Sequence, residues 1–117
     1  MNAAELQSLC LAFPGATENI QWGNDRVFKV GGKMFACSGV DAGSTYSFKV
    51  DDERFLELTD CPGVVPAPYL ARAKWVQVDP ARCRLPAAEL ESLVRHSYDL
   101  VVAKLPKKLQ RELQQHM

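Results

Sequence analysis

The residues of this 117-residue chain whose types and spacing could do chemistry are two histidines, four cysteines, one acidic cluster, and a set of lysines beside aromatic rings. His96 lies one helical turn from Ser92 and close to Asp99, the residue types of a nucleophile-base pair. No oxyanion hole or pocket comes with them, so His96 reads as a surface residue. His116 sits beside the end of the chain, where side chains are commonly loosely held. Cys10, Cys37, Cys61 and Cys83 are far apart, without the close pair that metal clusters and redox dithiols usually carry. Cys10 falls on an apolar helical stripe and Cys37 in a strand-like run, so both read as small buried hydrophobes. Cys61 and Cys83 lie in turn-rich stretches that leave room for exposed thiols. Asp51, Asp52, Glu53, Glu57 and Asp60 form the one acidic cluster. Such carboxylates hold hard cations weakly, but Arg54 interrupts them and the pattern fits a solvated helix face. No Gly-rich phosphate loop is present, because Gly31-Gly32 precedes no helix. The expectation is a protein that is not an enzyme and needs no metal or cofactor.

Binding chemistry is better represented. Lys29, Lys33 and Lys49 fall on strand-like segments, and Arg72, Lys74 and Trp75 surround the start of another. A polar sheet face with basic side chains for phosphate and a ring for stacking is a platform for nucleic acid. The competing reading packs Trp75 under the proline-rich loop and leaves the lysines to solubilise the sheet. A second basic set, Lys104, Lys107, Lys108 and Arg111, suits a helix C-terminus and its solvated end. Trp22, Tyr69 and Tyr98 suggest a cleft for a small aromatic ligand. The chain has no net charge, with 14 basic and 14 acidic residues, which argues against strong non-specific binding to nucleic acid. The distribution is uneven: residues 1–60 hold five Lys/Arg against nine Asp/Glu, and residues 61–117 hold nine against five. This predicts a bipolar surface with a basic side.

These residues must be positioned by a single domain spanning 1–117, a length that buries roughly two-thirds of its unfolded surface without disulfides or metal. No secretory signal or apolar run of membrane-spanning length is visible, so a soluble, cytoplasmic protein is expected, taken as a monomer without membrane contact. Asn2 and Glu5 form a capping pattern before Leu6, Leu9, Cys10 and Phe13, one helical face, which Pro14-Gly15 ends. Residues 20–25 read as a short extended piece ending in a turn. Gly31-Gly32 joins two strands, Arg26–Val30 and Lys33–Ser38, and pairs Val30 with Lys33, Lys29 with Met34 and Phe28 with Phe35. Tyr46, Phe48 and Val50 form the apolar side of a third strand, opposite Thr45, Ser47 and Lys49. Asp51 caps a second helix that buries Phe55, Leu56 and Leu58. The proline-rich stretch 61–69 reads as an irregular loop. In the last strand, Val76 and Val78 share one face, and Trp75 and Gln77 the other. Pro86 opens a long helix carrying Leu90, Leu93, Val94, Ser97, Tyr98 and Val101. The Ser97 hydroxyl is expected to bond a carbonyl one turn back, and Tyr98 to be architectural. Pro106 ends this helix, and Leu109 and Leu113 mark a short basic one. The fold class is α+β: a two-layer sandwich, its twisted antiparallel sheet covered on the apolar face by the N- and C-terminal helices.

An ordered set of short stretches resembles the MmcQ/YjbR family: Phe13-Pro14-Gly15-Ala16-Thr17-Glu18, Trp22-Gly23, and Val27 to Phe35 with Gly31-Gly32 at its centre. Pro62-Gly63-Val64, Pro66-Ala67-Pro68-Tyr69, Lys74-Trp75-Val76, Ser97 to Val101 and Leu105-Pro106-Lys107-Lys108 continue it. The resemblance implies a CyaY-like (frataxin-like) α+β fold. It also implies a DNA-binding accessory domain that uses the sheet surface, and this reading leads by analogy with the family. The alternative is a small-molecule or protein-interaction module with no nucleic-acid role. The frataxin-like fold raises an iron-binding idea as well. Frataxins build their acidic ridge largely on the first helix, however, and here that helix carries only Glu5.

Overall fold

Asn2 starts the first helix. Its Oδ1 accepts from the Glu5 N–H at 2.9 Å, and Glu5 Oε1 accepts from the Asn2 N–H at 3.1 Å. This reciprocal cap satisfies two of the donors that a helix start leaves open. The computed structural model describes residues 1–115, so His116 lies outside the described residues. The capped helix, α1 (Ala3–Leu11), buries Ala3, Leu6 and Cys10. Strands β1 (Thr17–Gln21), β2 (Asp25–Val30), β3 (Lys33–Gly39) and β4 (Tyr46–Lys49) follow as an antiparallel meander. Helix α2 (Asp52–Thr59) then leads to β5 (Val64–Pro66), a short 3₁₀ turn (Ala71–Ala73) and β6 (Trp75–Val78). Helices α3 (Ala87–Val102) and α4 (Lys107–Gln114) complete the chain. The sheet order is β1-β2-β3-β4-β6-β5, so β6 inserts between β4 and β5.

One apolar face of this sheet meets the helices. Phe28, Val30, Phe35, Tyr46, Phe48, Val76 and Val78 form a single core with Leu6, Cys10 and Phe13, and with Leu90, Leu93, Val94 and Tyr98 of α3. The Tyr98 ring lies 4.9 Å from that of Phe13 and edge-on to Phe35 at 5.4 Å. Its hydroxyl donates to the Pro14 carbonyl at 2.6 Å, so a buried polar group keeps a partner. Leu105 lies against Gly31 and Leu113 against Gly15, where a Cβ would collide with either leucine. Both glycines also hold positive φ, which suits a residue without a side chain.

The β2–β3 hairpin departs from the register that its turn sets. Val30 faces Lys33 and Lys29 faces Met34, but Phe28 then faces Ala36 rather than Phe35. Phe35 is the extra residue of a β-bulge, and both Phe35 and Ala36 are fully buried in the core. The reason lies on α3. The Ser97 hydroxyl is fully buried, donates to the Phe35 carbonyl at 2.6 Å and accepts from the Lys49 N–H at 3.0 Å. It does not turn back on its own helix but stands between β3 and β4, where their pairing ends at Ala36 and Phe48.

Other expectations also change. Asp51 gives α2 no side-chain cap, because its Oδ2 takes His96 Nε2 at 2.8 Å instead. Leu56 is exposed while Phe55 is half-buried and Leu58 buried, so the apolar side of α2 is narrower than its composition suggests. Within the stretch read as an irregular loop, Val64–Pro66 is an edge strand paired with β6, a position that tolerates proline. Cys37 is half-buried and not in the core, and Cys61 and Cys83 are half-buried at the edge of the core.

Ser97→Ala leaves a buried carbonyl and a buried N–H without partners, and each such loss costs about 1–3 kcal/mol. The variant is expected to lose about 3 kcal/mol of unfolding free energy in a urea titration at unchanged m-value. A loss below about 0.5 kcal/mol would show that the bridge is dispensable.

Candidate functional site

The face of the sheet turned away from α1 and α3 carries a depression. Phe48 and Val76 point into the core, so their strand neighbours Ser47 and Gln77 point the other way. Ser47 stands directly opposite Cys37 on β3 and opposite Gln77 on β6, so the three polar side chains cross three strands in one row. They form the floor of a hollow of ≈ 510 Å³. Its walls come from the turn between β1 and β2, the β3–β4 connection and the loop between β5 and β6, and include Asp25, Thr45, Pro68 and Leu70.

Two aromatic rings stand at the rim. Trp22 is 66% exposed and Tyr69 fully exposed. Both have left-handed backbone, with φ of 51° and 65°, a conformation that costs an ordinary residue roughly 1–2 kcal/mol. Bulky residues seldom adopt it, and backbone strain of this kind clusters at functional sites. Among the described residues, the lining contains one carboxylate, Asp25, and no lysine, arginine or histidine. The Cys37 thiol is pushed up to about 11, chiefly by burial and then by the negative charge of Asp25, with the Ser47 hydroxyl opposing both. At neutral pH it is held as the thiol, the less reactive of its two forms. The arrangement offers apolar faces and hydrogen-bonding groups, the equipment of a binding site.

The residues expected to bind nucleic acid differ in how far they are engaged within the fold. Trp75 is 5% exposed. Ala67 N–H donates to the Trp75 carbonyl and Trp75 N–H to the Leu70 carbonyl, so the loop is laced to Trp75. Lys49 Nζ donates to the Ala73 carbonyl at 2.6 Å. Lys74 Nζ lies over the Phe55 ring, 5.1 Å from its centre. Lys33 and Arg72 are exposed and Lys29 is half-buried. Lys104, Lys107, Lys108 and Arg111 are exposed around α4. Of the three aromatics expected to share a cleft, Trp22 and Tyr69 meet at the depression. Tyr98 is in the core on the opposite side of the sheet. His96 pairs with Asp51 and not with Ser92, while Asp99 takes Arg95 at 3.6 Å. In the acidic cluster, Glu57 pairs with Arg54 at 3.3 Å. Asp25, Cys37, Ser47 and Gln77 were not anticipated as site residues. Strand alternation placed Ser47 and Gln77 off the core, and only the pairing of β4 with β6 joins them.

The YjbR family model matches residues 11–100. The chain belongs to the YjbR family. The matched segment contains every residue that lines the depression. Among solved structures, the Deinococcus radiodurans protein DR2400, a DUF419 domain, is 31% identical with a TM-score of 0.81, covering 95% of this chain and 86% of that one. A Pseudomonas syringae protein is 22% identical with a TM-score of 0.71, over 86% of this chain and 98% of that one, and shares the fold. No curated protein matches the chain.

Two outcomes follow for this YjbR-family site. Tyr69→Gly relieves the left-handed strain and sacrifices no buried contact, so it is expected to raise the unfolding free energy by about 1 kcal/mol. An unchanged or lower value in urea would show that the turn is not strained. For Cys37, the folded state favours the neutral thiol. Its stabilising contribution is therefore complete below about pH 9, the unfolded value, and is lost as pH rises towards about 11. At pH 8, iodoacetamide labelling of Cys37 in the native protein should be more than ~10-fold slower than in the urea-unfolded chain, read by mass spectrometry. Equal rates would show an unperturbed, accessible thiol.

Proposed function

We propose that this YjbR-family domain is a non-catalytic binding module that takes a small molecule in the depression between Trp22 and Tyr69. The observation that supports this most directly is the pair of exposed rings held in left-handed backbone over a polar floor. The hollow of ≈ 510 Å³ falls within the roughly 300–1,000 Å³ range of ligand pockets, which combine apolar walls with a few placed polar groups. The neutral Cys37 thiol and the lack of lysine or histidine in the lining favour recognition over acid–base or nucleophilic catalysis.

A DNA-binding accessory role is the second reading. Lys33 and Arg72 are free to meet phosphate, and Trp22 and Tyr69 present faces on which bases stack. It ranks lower because Trp75 is buried and Lys49 and Lys74 are engaged within the fold.

The deciding experiment pairs two titrations. One follows tryptophan fluorescence against a panel of planar aromatic fragments. The other follows the anisotropy of labelled single- and double-stranded DNA at low and physiological salt. The expected result is saturable fluorescence change with at least one fragment, weakened ~10-fold or more by Tyr69→Ala, and no DNA binding at physiological salt. DNA binding that falls steeply with salt and weakens in Lys33→Ala, without any fragment response, would replace the ligand reading.

A further inference from the structure

We infer that the depression selects a planar heteroaromatic molecule that is cationic, or neutral with N–H donors on its edge, and discriminates against anions. This deepens the small-molecule reading above and rests on it. Two independent features converge on that class. The first is the rim. Trp22 and Tyr69 present π-faces, which attract a flat ring by stacking and a positive charge through their quadrupoles. The second is charge. Asp25 is the only formally charged side chain in the lining, and among the described residues it forms no ion pair within 4.0 Å. An unpaired carboxylate on the exposed wall of the hollow attracts a cation or an N–H donor and repels an anion. Its field reaches the floor, since it helps to hold the Cys37 thiol protonated.

The floor completes the selection. Gln77 offers a carbonyl acceptor and an NH₂ donor, and Ser47 a hydroxyl that serves as either. Such groups read the edge of a heteroaromatic ring and leave little reason to prefer a plain hydrocarbon. With no lysine, arginine or histidine among the described residues of the lining, nothing there neutralises a phosphate or carboxylate. A free amino-substituted base or a protonated ring nitrogen therefore suits the site better than the corresponding nucleotide.

The test uses two flat three-ring probes of similar size and opposite charge, proflavine and anthracene-2-carboxylate, titrated at pH 7 against the full chain. Asp25→Asn is nearly isosteric at an exposed position and should leave the fold intact, as circular dichroism would check. Asp52→Asn, on α2, controls for general attraction of a cationic dye to an acidic surface. Proflavine is expected to bind at least ~10-fold more tightly than the anion, and Asp25→Asn to reduce proflavine affinity by about 10-fold while leaving the anion's affinity equal or improved. Tyr69→Ala should weaken proflavine by a similar factor, and Asp52→Asn should change nothing. Equal affinities for the two probes, or an equal loss in Asp52→Asn, would overturn the charge selectivity while Tyr69→Ala sensitivity keeps the site. Binding of neither probe, or binding indifferent to Tyr69→Ala, would remove the site and this inference with it.

Discussion

The constraint on which the rest depends is the hydroxyl of Ser97. It is wholly buried and bridges the Phe35 carbonyl and the Lys49 N–H, two backbone groups that the β3–β4 ladder leaves unpaired. By accepting from one and donating to the other, it makes the bulge at Phe35 sustainable inside a dry core. The bulge in turn resets the phase of β3. In a strand without interruption, residues 35 and 37 would share a face. With the bulge, Phe35 and Ala36 both enter the core, and Cys37 emerges on the opposite side, level with Ser47 and Gln77. A side chain on the helical side of the sheet thus decides which residues line the depression on the other.

That chain of cause explains where the sequence was legible and where it was not. The capping pair Asn2 and Glu5, the Gly31-Gly32 turn and the apolar stripe of α3 are local signals, and each produced its element. The core followed because one period per element is enough to choose its buried face. Residue type and a strand-like run make Cys37 a buried hydrophobe, and simple alternation, which carries Phe35 and Cys37 together, gives no sign otherwise. No residue within β3 announces the bulge. The information lies 62 positions away in Ser97, whose hydroxyl looked like a local helix feature. Leu56 was misplaced for a related reason: composition gives α2 three large apolar residues, but only one edge of that helix meets the sheet.

The depression was half legible. The sequence groups Trp22, Tyr69 and Tyr98 by type alone, and only the first two meet at the depression. The Tyr98 ring belongs with Phe13 and Phe35 in the core, and its hydroxyl is committed to Pro14. Ser47 and Gln77 could be assigned to the polar side of the sheet one at a time. Their alignment depends on β6 crossing over to lie against β4, after a helix and an edge strand have intervened. Sheet neighbours that are distant in sequence leave no periodic trace, so a binding floor assembled from them is visible only in three dimensions.

The residues first read as a nucleic-acid platform acquire a different role from the same crossover. β5 and β6 pair antiparallel, and the loop that joins them lies against the outer face, where Ala67 to Leu70 line the depression. Backbone hydrogen bonds from Ala67 and Trp75 close that loop, and the indole of Trp75 is buried beneath it. Lys49 holds the Ala73 carbonyl, and Lys74 reaches over the Phe55 ring. Three of the six suspected contacts thus fasten one loop. Tyr69 projects from that loop in left-handed backbone, a conformation that relaxes unless its surroundings impose it. Lys49, Lys74 and Trp75 supply the restraint. Their part is architectural: they tie down the loop that carries Tyr69, beside a floor whose own phase is set from the far side of the sheet.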